Sequence, residues 1–199
     1  MIDIIGSPSS NSKAVHYAFQ NLGIESRIIG EPQDLLNSRK IVLPGVGAFG
    51  SLANYLTEKK FREPLKNCLL DGAKMLGICL GMQMLALDSE ESIDFQGLGV
   101  FELHCVKFKG DKLRVPHTGW NQTSVNIEHQ IVNGLTYDFS AFYSHSYYVP
   151  FHSKYSVAST HYENRFSSVI AKNNIVGVQF HPERSQASGR KILTNFADW

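Results

Sequence analysis

The first half of the chain alternates between short apolar runs and longer segments with helical spacing. Segments built around apolar runs predict strands at 2–5, 25–30, 40–45 and 73–78. Apolar residues three or four positions apart predict helices at 11–23, 51–71 and 80–91. Gly23 is a typical helix-ending residue, and Pro64 suggests that the second helix is built from two pieces. Strands and helices in alternation predict right-handed βαβ units, and therefore a parallel sheet covered on both faces.

The second half is richer in β-branched and aromatic residues. Strand-like runs between turn residues occur at 100–108, 121–127, 140–149, 155–162, 166–172 and 175–180. A further helix is predicted at 186–199. Since no repeat, low-complexity tract or linker interrupts the pattern, we expect one α/β domain over residues 1–199. Its central sheet is expected to be mostly parallel and flanked by helices, with a β-rich second half.

Composition excludes several classes of function. The 199 residues carry 19 Lys and Arg against 18 Asp and Glu, a formal net charge of +1, which predicts no nucleic-acid partner and no anionic membrane. No apolar run approaches the roughly 20 residues that span a bilayer, and the N-terminus does not resemble a signal peptide. The 3 cysteines are scattered, and no His or Cys pair has metal-ligand spacing. We therefore expect a reducing cytoplasm, no disulfide framework, no metal and no other cofactor.

The segment GICLG, residues 77–81, joins a predicted strand to a predicted helix. Its pattern is typical of a nucleophile elbow, a sharp turn that exposes the reactive side chain at the carboxyl edge of a sheet. Flanking glycines avoid a clash, the following helix N-terminus favours a thiolate, and the Leu80 N–H suits an oxyanion. The alternative is that Cys79 is a small buried hydrophobe, because cysteine is often buried. Packing is the preferred interpretation for Cys68 and Cys105, which lack such a turn.

A cysteine nucleophile needs a base, and the base needs an orienting group. In VGVQFHPERS, residues 176–185, a predicted apolar strand ends in His181, and Glu183 lies two positions further on. Residues i and i+2 of an extended segment point to the same side, so Glu183 is expected to hold the imidazole. H-x-E alone is a weak signal, but its place at a strand end, together with the elbow, strengthens it.

A glycine-rich turn, LPGVGAFGS at residues 43–51, follows another predicted strand. The backbone at Val46 and Gly47 is a candidate source of a second oxyanion N–H. A phosphate loop is the competing interpretation, but the turn lacks a lysine and the G-x-x-x-x-G-K-[ST] pattern. We therefore prefer the oxyanion interpretation.

Five segments together resemble the triad-type (class I) glutamine amidotransferases. They are, in chain order, LPGVGAFG, LGICLGMQML, VPHTGWN, YSHSYYV and GVQFHPERSQ, and they cover nearly the whole chain. PGVGAF, PHTGWN and HSYY more narrowly resemble the glutaminase subunits of imidazole glycerol phosphate synthase. The resemblance implies the class I glutamine amidotransferase fold and an enzyme with the catalytic triad Cys79, His181 and Glu183.

The resemblance also implies a reaction and further site residues. Cys79 attacks the side-chain amide of L-glutamine, His181 shuttles protons, and a thioester forms that water hydrolyses to glutamate once ammonia has left. The implied oxyanion donors are Val46 or Gly47 and Leu80. The implied glutamine contacts are Gln83, Glu91, His145, Ser146 and Tyr147. The simpler interpretations are a solvated helix residue for Gln83, a surface pair with Glu90 for Glu91, and a strand aromatic for Tyr147.

Subunits of this kind pass ammonia to a partner cyclase, a (β/α)₈ barrel, within a heterodimer that makes imidazole glycerol phosphate and AICAR in histidine biosynthesis. The resemblance places Trp120, Asn121 and Arg184 at that interface, whereas a core tryptophan is the alternative for Trp120. Departures from the usual pattern are Thr118, where Met is common, and the opening segment IIGSPSSNS, which keeps only Gly and Asn of the usual Asp-Tyr-Gly-x-Gly-Asn loop.

These departures leave the partner and the ammonia acceptor open. One alternative is a paralogous glutaminase subunit that serves another synthase, such as sugar amidation in surface polysaccharide biosynthesis. Another is a free-standing cysteine peptidase or γ-glutamyl hydrolase. A non-catalytic regulatory subunit is the third, and the intact Cys79, His181 and Glu183 argue against it.

Overall fold

The computed structural model describes residues 1–110 and 113–199. The strands found there are β1 (Ile2–Ile5), β2 (Ser26–Ile29), β3 (Lys40–Gly45), β4 (Lys74–Cys79), β5 (Asp88–Ser89), β6 (His104–Lys107), β7 (His117–Val125), β8 (Asp138–His145), β9 (Tyr147–Tyr148), β10 (Ser156–Tyr162), β11 (Asn164–Lys172) and β12 (Ile175–Val178). The helices are α1 (Ser12–Gln20), α2 (Phe49–Glu58), α3 (Arg62–Leu70), α4 (Leu80–Gln83) and α5 (Gln186–Asp198). Short 3₁₀ turns cover Pro32–Leu35, Gln130–Val132 and Pro182–Arg184.

Most strands join one sheet in the order β2-β1-β3-β4-β12-β11-β10-β7-β8. The first five are parallel to one another, and the pairs from β12 to β8 are antiparallel. The parallel half comes from the alternating part of the sequence, apart from β12. A smaller sheet, β5-β6-β9, stands beside it. The predicted α/β class and the β-rich second half are confirmed. The central sheet is mixed rather than mostly parallel as expected, because strands of the β-rich second half join it through antiparallel pairs.

Two apolar clusters cover the two faces of the sheet. One joins Val15 and Phe19 of α1 to Ile192 and Phe196 of α5, and the other contains the buried side of α2 and α3, including Phe49. Alternate residues of a strand enter opposite clusters, as the pleat of a strand requires. Burial of each phenylalanine side chain in these two clusters stabilises the fold by about 1.5–3 kcal/mol. No helix among the described residues is long and apolar enough to cross a membrane.

The helix predicted at 80–91 is wrong in its extent. Regular helix ends at Gln83, and by Asp88 the chain is a strand paired with β6. Residues 80–86 are all buried, so they lack the solvent-facing side of an amphipathic helix. The Leu87 N–H donates to Leu103 O, and its own carbonyl accepts from Gly97 N–H. These backbone bonds to distant residues replace the helical ones.

The break predicted near Pro64 lies earlier. α2 and α3 are separated at residues 59–61, where Lys60 has a φ of 58°. Pro64 is the third residue of α3, a position whose backbone N–H has no partner within the helix. Its missing N–H therefore costs no helical bond.

The elbow after β4 depends on glycines that allow backbones to touch. A Cβ on Gly81 would lie 1.7 Å from the Leu43 carbonyl oxygen, and one on Gly77 would lie 2.6 Å from the Gly81 carbonyl oxygen. Both neighbours are backbone atoms of packed elements and cannot move aside. The sequence-based explanation of these glycines is confirmed by this geometry.

We predict that Gly81→Ala destabilises the protein by about 3 kcal/mol or more, because the methyl group overlaps the backbone of β3. Gly30→Ala is the control, since among the described residues no atom beyond its chain neighbours lies within 4 Å of the added Cβ, and it should change stability by no more than about 1 kcal/mol. Urea-unfolding midpoints of the two variants measure the difference. Equal midpoints would contradict the proposed close contact.

Candidate active site

A cavity of about 330 Å³ opens at the carboxyl ends of β3, β4 and β12, which are adjacent in the sheet. Its lining is Val46, Gly47, Cys79, Leu80, Gln83, Glu91, Pro116, Ser144, His145, Ser146, Tyr147, His181 and Arg184. Segments far apart in the sequence meet there because neighbouring parallel strands end at the same edge. The cavity brings together the predicted site residues except Glu183, Trp120 and Asn121.

Cys79 occupies a strained backbone conformation at the base of this cavity. Its φ of 53° and ψ of −107° are rarely adopted by a residue with a side chain. The sulfur lies 3.9 Å from Ser144 O and 3.7 Å from Gln179 Nε2. Cys79 is buried, as the packing interpretation expects, but packing alone does not require a strained turn. The strain and the polar neighbours favour the nucleophile.

His181 and Glu183 form a buried pair, in which the imidazole Nδ1 lies 2.8 Å from Glu183 Oε1. Because the carboxylate accepts, Nδ1 carries the proton and Nε2 is left for Cys79. Burial lowers the pKa of His181, but the charge and hydrogen bonding of Cys79 and Glu183 outweigh it and raise the pKa above its usual value. The arrangement favours an imidazolium beside the sulfur.

The segment after His181 is not extended, contrary to the expectation. Residues Pro182–Arg184 form a 3₁₀ turn that begins with the proline. The turn still carries the Glu183 side chain back to the imidazole. Asn11 Nδ2 donates to the same Glu183 oxygen over 2.6 Å, a contact that sequence reasoning missed because 172 positions separate the two residues.

The turn after β3 borders the cavity with Val46 and Gly47. The Val46 N–H donates to Ser9 O over 2.8 Å, so this donor is engaged by the N-terminal loop. Gly47 has a φ of 105°, which suits glycine and gives the turn conformational freedom. Leu80 begins α4 beside the sulfur, but α4 is only 4 residues long. Its contribution to a thiolate through aligned peptide dipoles is therefore smaller than the predicted longer helix implied.

Gln83 is buried, which excludes the solvated-helix interpretation. Its Nε2 donates to Tyr147 O over 2.7 Å and lies 3.2 Å from Gln179 Oε1. Gln179 is fully buried. It was not predicted from the sequence, since one polar residue in an apolar strand resembles ordinary alternation. Its only sequence signal is its place two residues before His181.

Glu91 does not form a surface pair with Glu90. Its Oε2 accepts from Phe49 N–H over 2.7 Å and caps the first turn of α2, while Glu90 accepts from Lys107 N–H. Glu91 therefore fixes the helix that follows the glycine-rich turn. It also lines the cavity, so a glutamine contact stays a prediction.

His145 uses both ring nitrogens within the protein. Nδ1 lies 2.8 Å from Tyr147 O, and Nε2 lies 3.1 Å from His117 Nδ1. Burial lowers the pKa of His145 to about 3 and that of His117 to about 4. Both rings are therefore neutral at neutral pH. Ser146 and Tyr147 line the cavity beside them, and the predicted glutamine contacts of all three stay predictions.

Trp120 is 49% exposed, which excludes the core-tryptophan interpretation. It packs edge-on against Phe142 with ring centroids 6.1 Å apart. The Arg184 guanidinium lies 3.9 Å from the centroid of the Phe142 ring. These residues form an aromatic and basic patch, which adjoins the cavity because Arg184 also lines it. Asn121 differs from them, because its Nδ2 points to His117 Nε2 and His161 O, each at 3.2 Å.

Known proteins match the chain over almost its full length. The family model "Glutamine amidotransferase class-I" matches residues 3–198. The chain is 38% identical over 205 residues to "Imidazole glycerol phosphate synthase subunit HisH" of Syntrophotalea carbinolica, with 100% of both chains covered. It is 38% identical over 203 residues to the protein of that name from Geobacter metallireducens, covering 98% and 97% of the two chains.

Solved structures share the fold at low sequence identity. A crystal structure described as a glutamine amidotransferase superposes with a TM-score of 0.78 at 16% identity, over 99% of this chain and 97% of that one. PurLQS from Thermotoga maritima has a TM-score of 0.77 at 18% identity, with the same coverage. Taken with the family model and the two full-length relatives, this confirms the family predicted from the motifs: the chain belongs to the class I glutamine amidotransferases.

Proposed function

We propose that the chain is the glutaminase subunit of an imidazole glycerol phosphate synthase. It hydrolyses L-glutamine to glutamate and ammonia and passes the ammonia to a HisF-like (β/α)₈ cyclase, which makes imidazole glycerol phosphate and AICAR in histidine biosynthesis. The observation that carries the chemistry is strained Cys79 beside the buried His181–Glu183 pair. The relatives named as HisH subunits support the pathway.

The proposed reaction follows the geometry of the cavity. The Cys79 thiolate attacks the glutamine side-chain carbonyl, and the Leu80 N–H stabilises the oxyanion that forms. The His181 imidazolium protonates the leaving nitrogen, ammonia departs, and a thioester remains. His181, now neutral, takes a proton from water, which hydrolyses the thioester to glutamate. Glu183 holds the imidazole in the required tautomer throughout.

The proposed partner surface is the patch of Trp120, Phe142 and Arg184. Tryptophan and arginine are enriched among the residues that dominate binding energy at protein interfaces. Arg184 also lines the cavity, so a cyclase docked on the patch would lie next to the site where ammonia is released. This supports a heterodimer rather than a free-standing hydrolase. A paralogous synthase is the runner-up, because the N-terminal loop departs from the usual motif.

We predict that Cys79→Ala lowers glutamine-dependent synthesis by a factor of about 10³ or more, since no other group can form the thioester. Synthesis from free ammonia should persist in the same complex, because the cyclase site is intact. Cys68→Ala is the control, since Cys68 lies outside the cavity and its loss should leave glutamine turnover unchanged. Retained glutaminase activity in Cys79→Ala would remove it from the mechanism.

Glu183→Gln should be impaired, but about 10–100-fold less than Cys79→Ala, because an orienting group makes no bond to the substrate. Burial lowers the pKa of His181, but Cys79 and Glu183 raise it by more. Removing the carboxylate charge of Glu183 should therefore lower that pKa. The imidazolium is then lost at a lower pH, and the alkaline limb of the kcat profile moves down.

The measurement for Glu183→Gln is glutamate release across a pH series. Glu102→Gln, at an exposed position, should match wild type. A Glu183→Gln profile identical to wild type in height and position would refute the orienting role.

We further predict that the isolated subunit is a poor glutaminase and that the acceptor-loaded partner activates it. The Val46 N–H is engaged by Ser9 O, and one missing oxyanion donor costs about 10²–10³ in rate. Activation up to that factor is expected in steady-state glutamate release by the subunit alone, with the partner, and with partner plus acceptor. Equal rates in all three mixtures would favour a free-standing hydrolase.

A further inference from the structure

The buried amide of Gln179 has no part in the reaction described so far, yet it lies against the nucleophile. We propose that Gln179 is a positioning residue that donates a hydrogen bond to the Cys79 sulfur and stabilises its thiolate form. The proposal rests on the proposed function, since it takes Cys79 as the nucleophile. It is carried by contact geometry: Gln179 Nε2 lies 3.7 Å from Cys79 Sγ, within hydrogen-bonding range for sulfur.

The orientation of the Gln179 amide follows from its neighbours. Tyr147 O is a carbonyl and can only accept, so Gln83, 2.7 Å away, must present its NH₂ group. The same NH₂ group lies 3.2 Å from Gln179 Oε1, which must therefore be the carbonyl end. The NH₂ end of Gln179 then faces the sulfur, and a flipped amide would oppose two donors.

The same carbonyl of Tyr147 orders a second series of contacts. It accepts from His145 Nδ1–H, which leaves His145 Nε2 to accept from His117 Nδ1–H. His117 Nε2 then accepts from Asn121 Nδ2. A directed chain of hydrogen bonds thus joins the segment at 117–121 to the carbonyl that holds Gln83, and Gln83 in turn contacts Gln179.

Besides His181, the sulfur has two polar neighbours that suit different protonation states. Ser144 O, 3.9 Å away, can accept from the thiol S–H. The NH₂ group of Gln179 cannot accept a hydrogen bond and can only donate one. A thiolate is a stronger acceptor than a thiol, so this donor favours the thiolate. Loss of the Gln179 donor should therefore shift the equilibrium between thiol and thiolate toward the thiol. It should not change the lining of the cavity, because Gln179 is not one of the lining residues.

Gln179→Met tests the proposal, since it keeps the length of the side chain and removes the donor. Alkylation of Cys79 by iodoacetamide, followed on its own peptide by mass spectrometry across pH, reports thiolate formation. The midpoint should rise by about one pH unit, a tenfold loss of thiolate at lower pH. In the complex with the partner, kcat should fall about tenfold while KM for glutamine changes less than about twofold. An unchanged alkylation midpoint would overturn the proposal.

Two control variants distinguish a positioning role of Gln179 from a purely structural role. Gln20→Met, at the exposed end of α1, should leave both readouts unchanged. Gln179→Glu keeps an acceptor for Gln83 but replaces the donor with a negative charge, so its midpoint should rise further than that of Gln179→Met. A wild-type midpoint in Gln179→Glu would mean that only the contact to Gln83 matters, against the proposal.

A wild-type measurement covers the case in which the variants do not fold. In protein labelled with ¹⁵N-glutamine, the Gln179 side-chain NH₂ signals should titrate with the alkylation midpoint of Cys79, and invariant signals would overturn the proposal. Wild type in complex with its partner is assayed for Cys79-dependent glutamine hydrolysis in parallel. If that activity is absent while the Gln179 signals titrate as expected, the proposed function is refuted. The hydrogen bond from Gln179 to Cys79 is then still supported.

Discussion

The close approach of the Gly81 backbone to the carbonyl of Leu43 is the constraint on which the site depends. It presses the start of α4 against β3, and this contact fixes the sharp turn at the end of β4. Cys79 is thereby held at a positive φ and lines the cavity. Because β3 and β12 flank β4, the glycine-rich turn and His181 necessarily arrive on either side of that sulfur.

Two histidines of the cavity have different roles because their electrostatic surroundings differ. His181 and His145 both line it and both are buried. Burial lowers the pKa of each, but only His181 has Glu183 and Cys79 as partners, which reverse the shift. His145 faces a carbonyl and a neutral imidazole and stays uncharged. One ring therefore serves as a proton carrier, and the other fixes hydrogen-bond direction.

The sequence predicted what depends on local pattern. β3 was predicted at its observed bounds, and the elbow, the H-x-E pair and the glycine-rich turn meet because they follow strands that end at one edge of the sheet. Contacts between distant segments had no local signal. Asn11 reaching Glu183, Glu91 capping α2 and Gln179 reaching Cys79 each require the fold to be known. The helix after the elbow was predicted too long, because a wholly buried apolar run has no periodicity that marks its end.

The atypical N-terminal loop is compatible with this site for a physical reason. Its contact with the turn after β3 is made by the Ser9 carbonyl to the Val46 N–H, a backbone bond that does not depend on which side chain stands at that position. Asn11 does use its side chain, to hold Glu183, and it is one of the residues the loop shares with the usual motif. Divergence at positions that contribute only backbone atoms therefore leaves the bond to the turn after β3 and the contact with Glu183 unchanged.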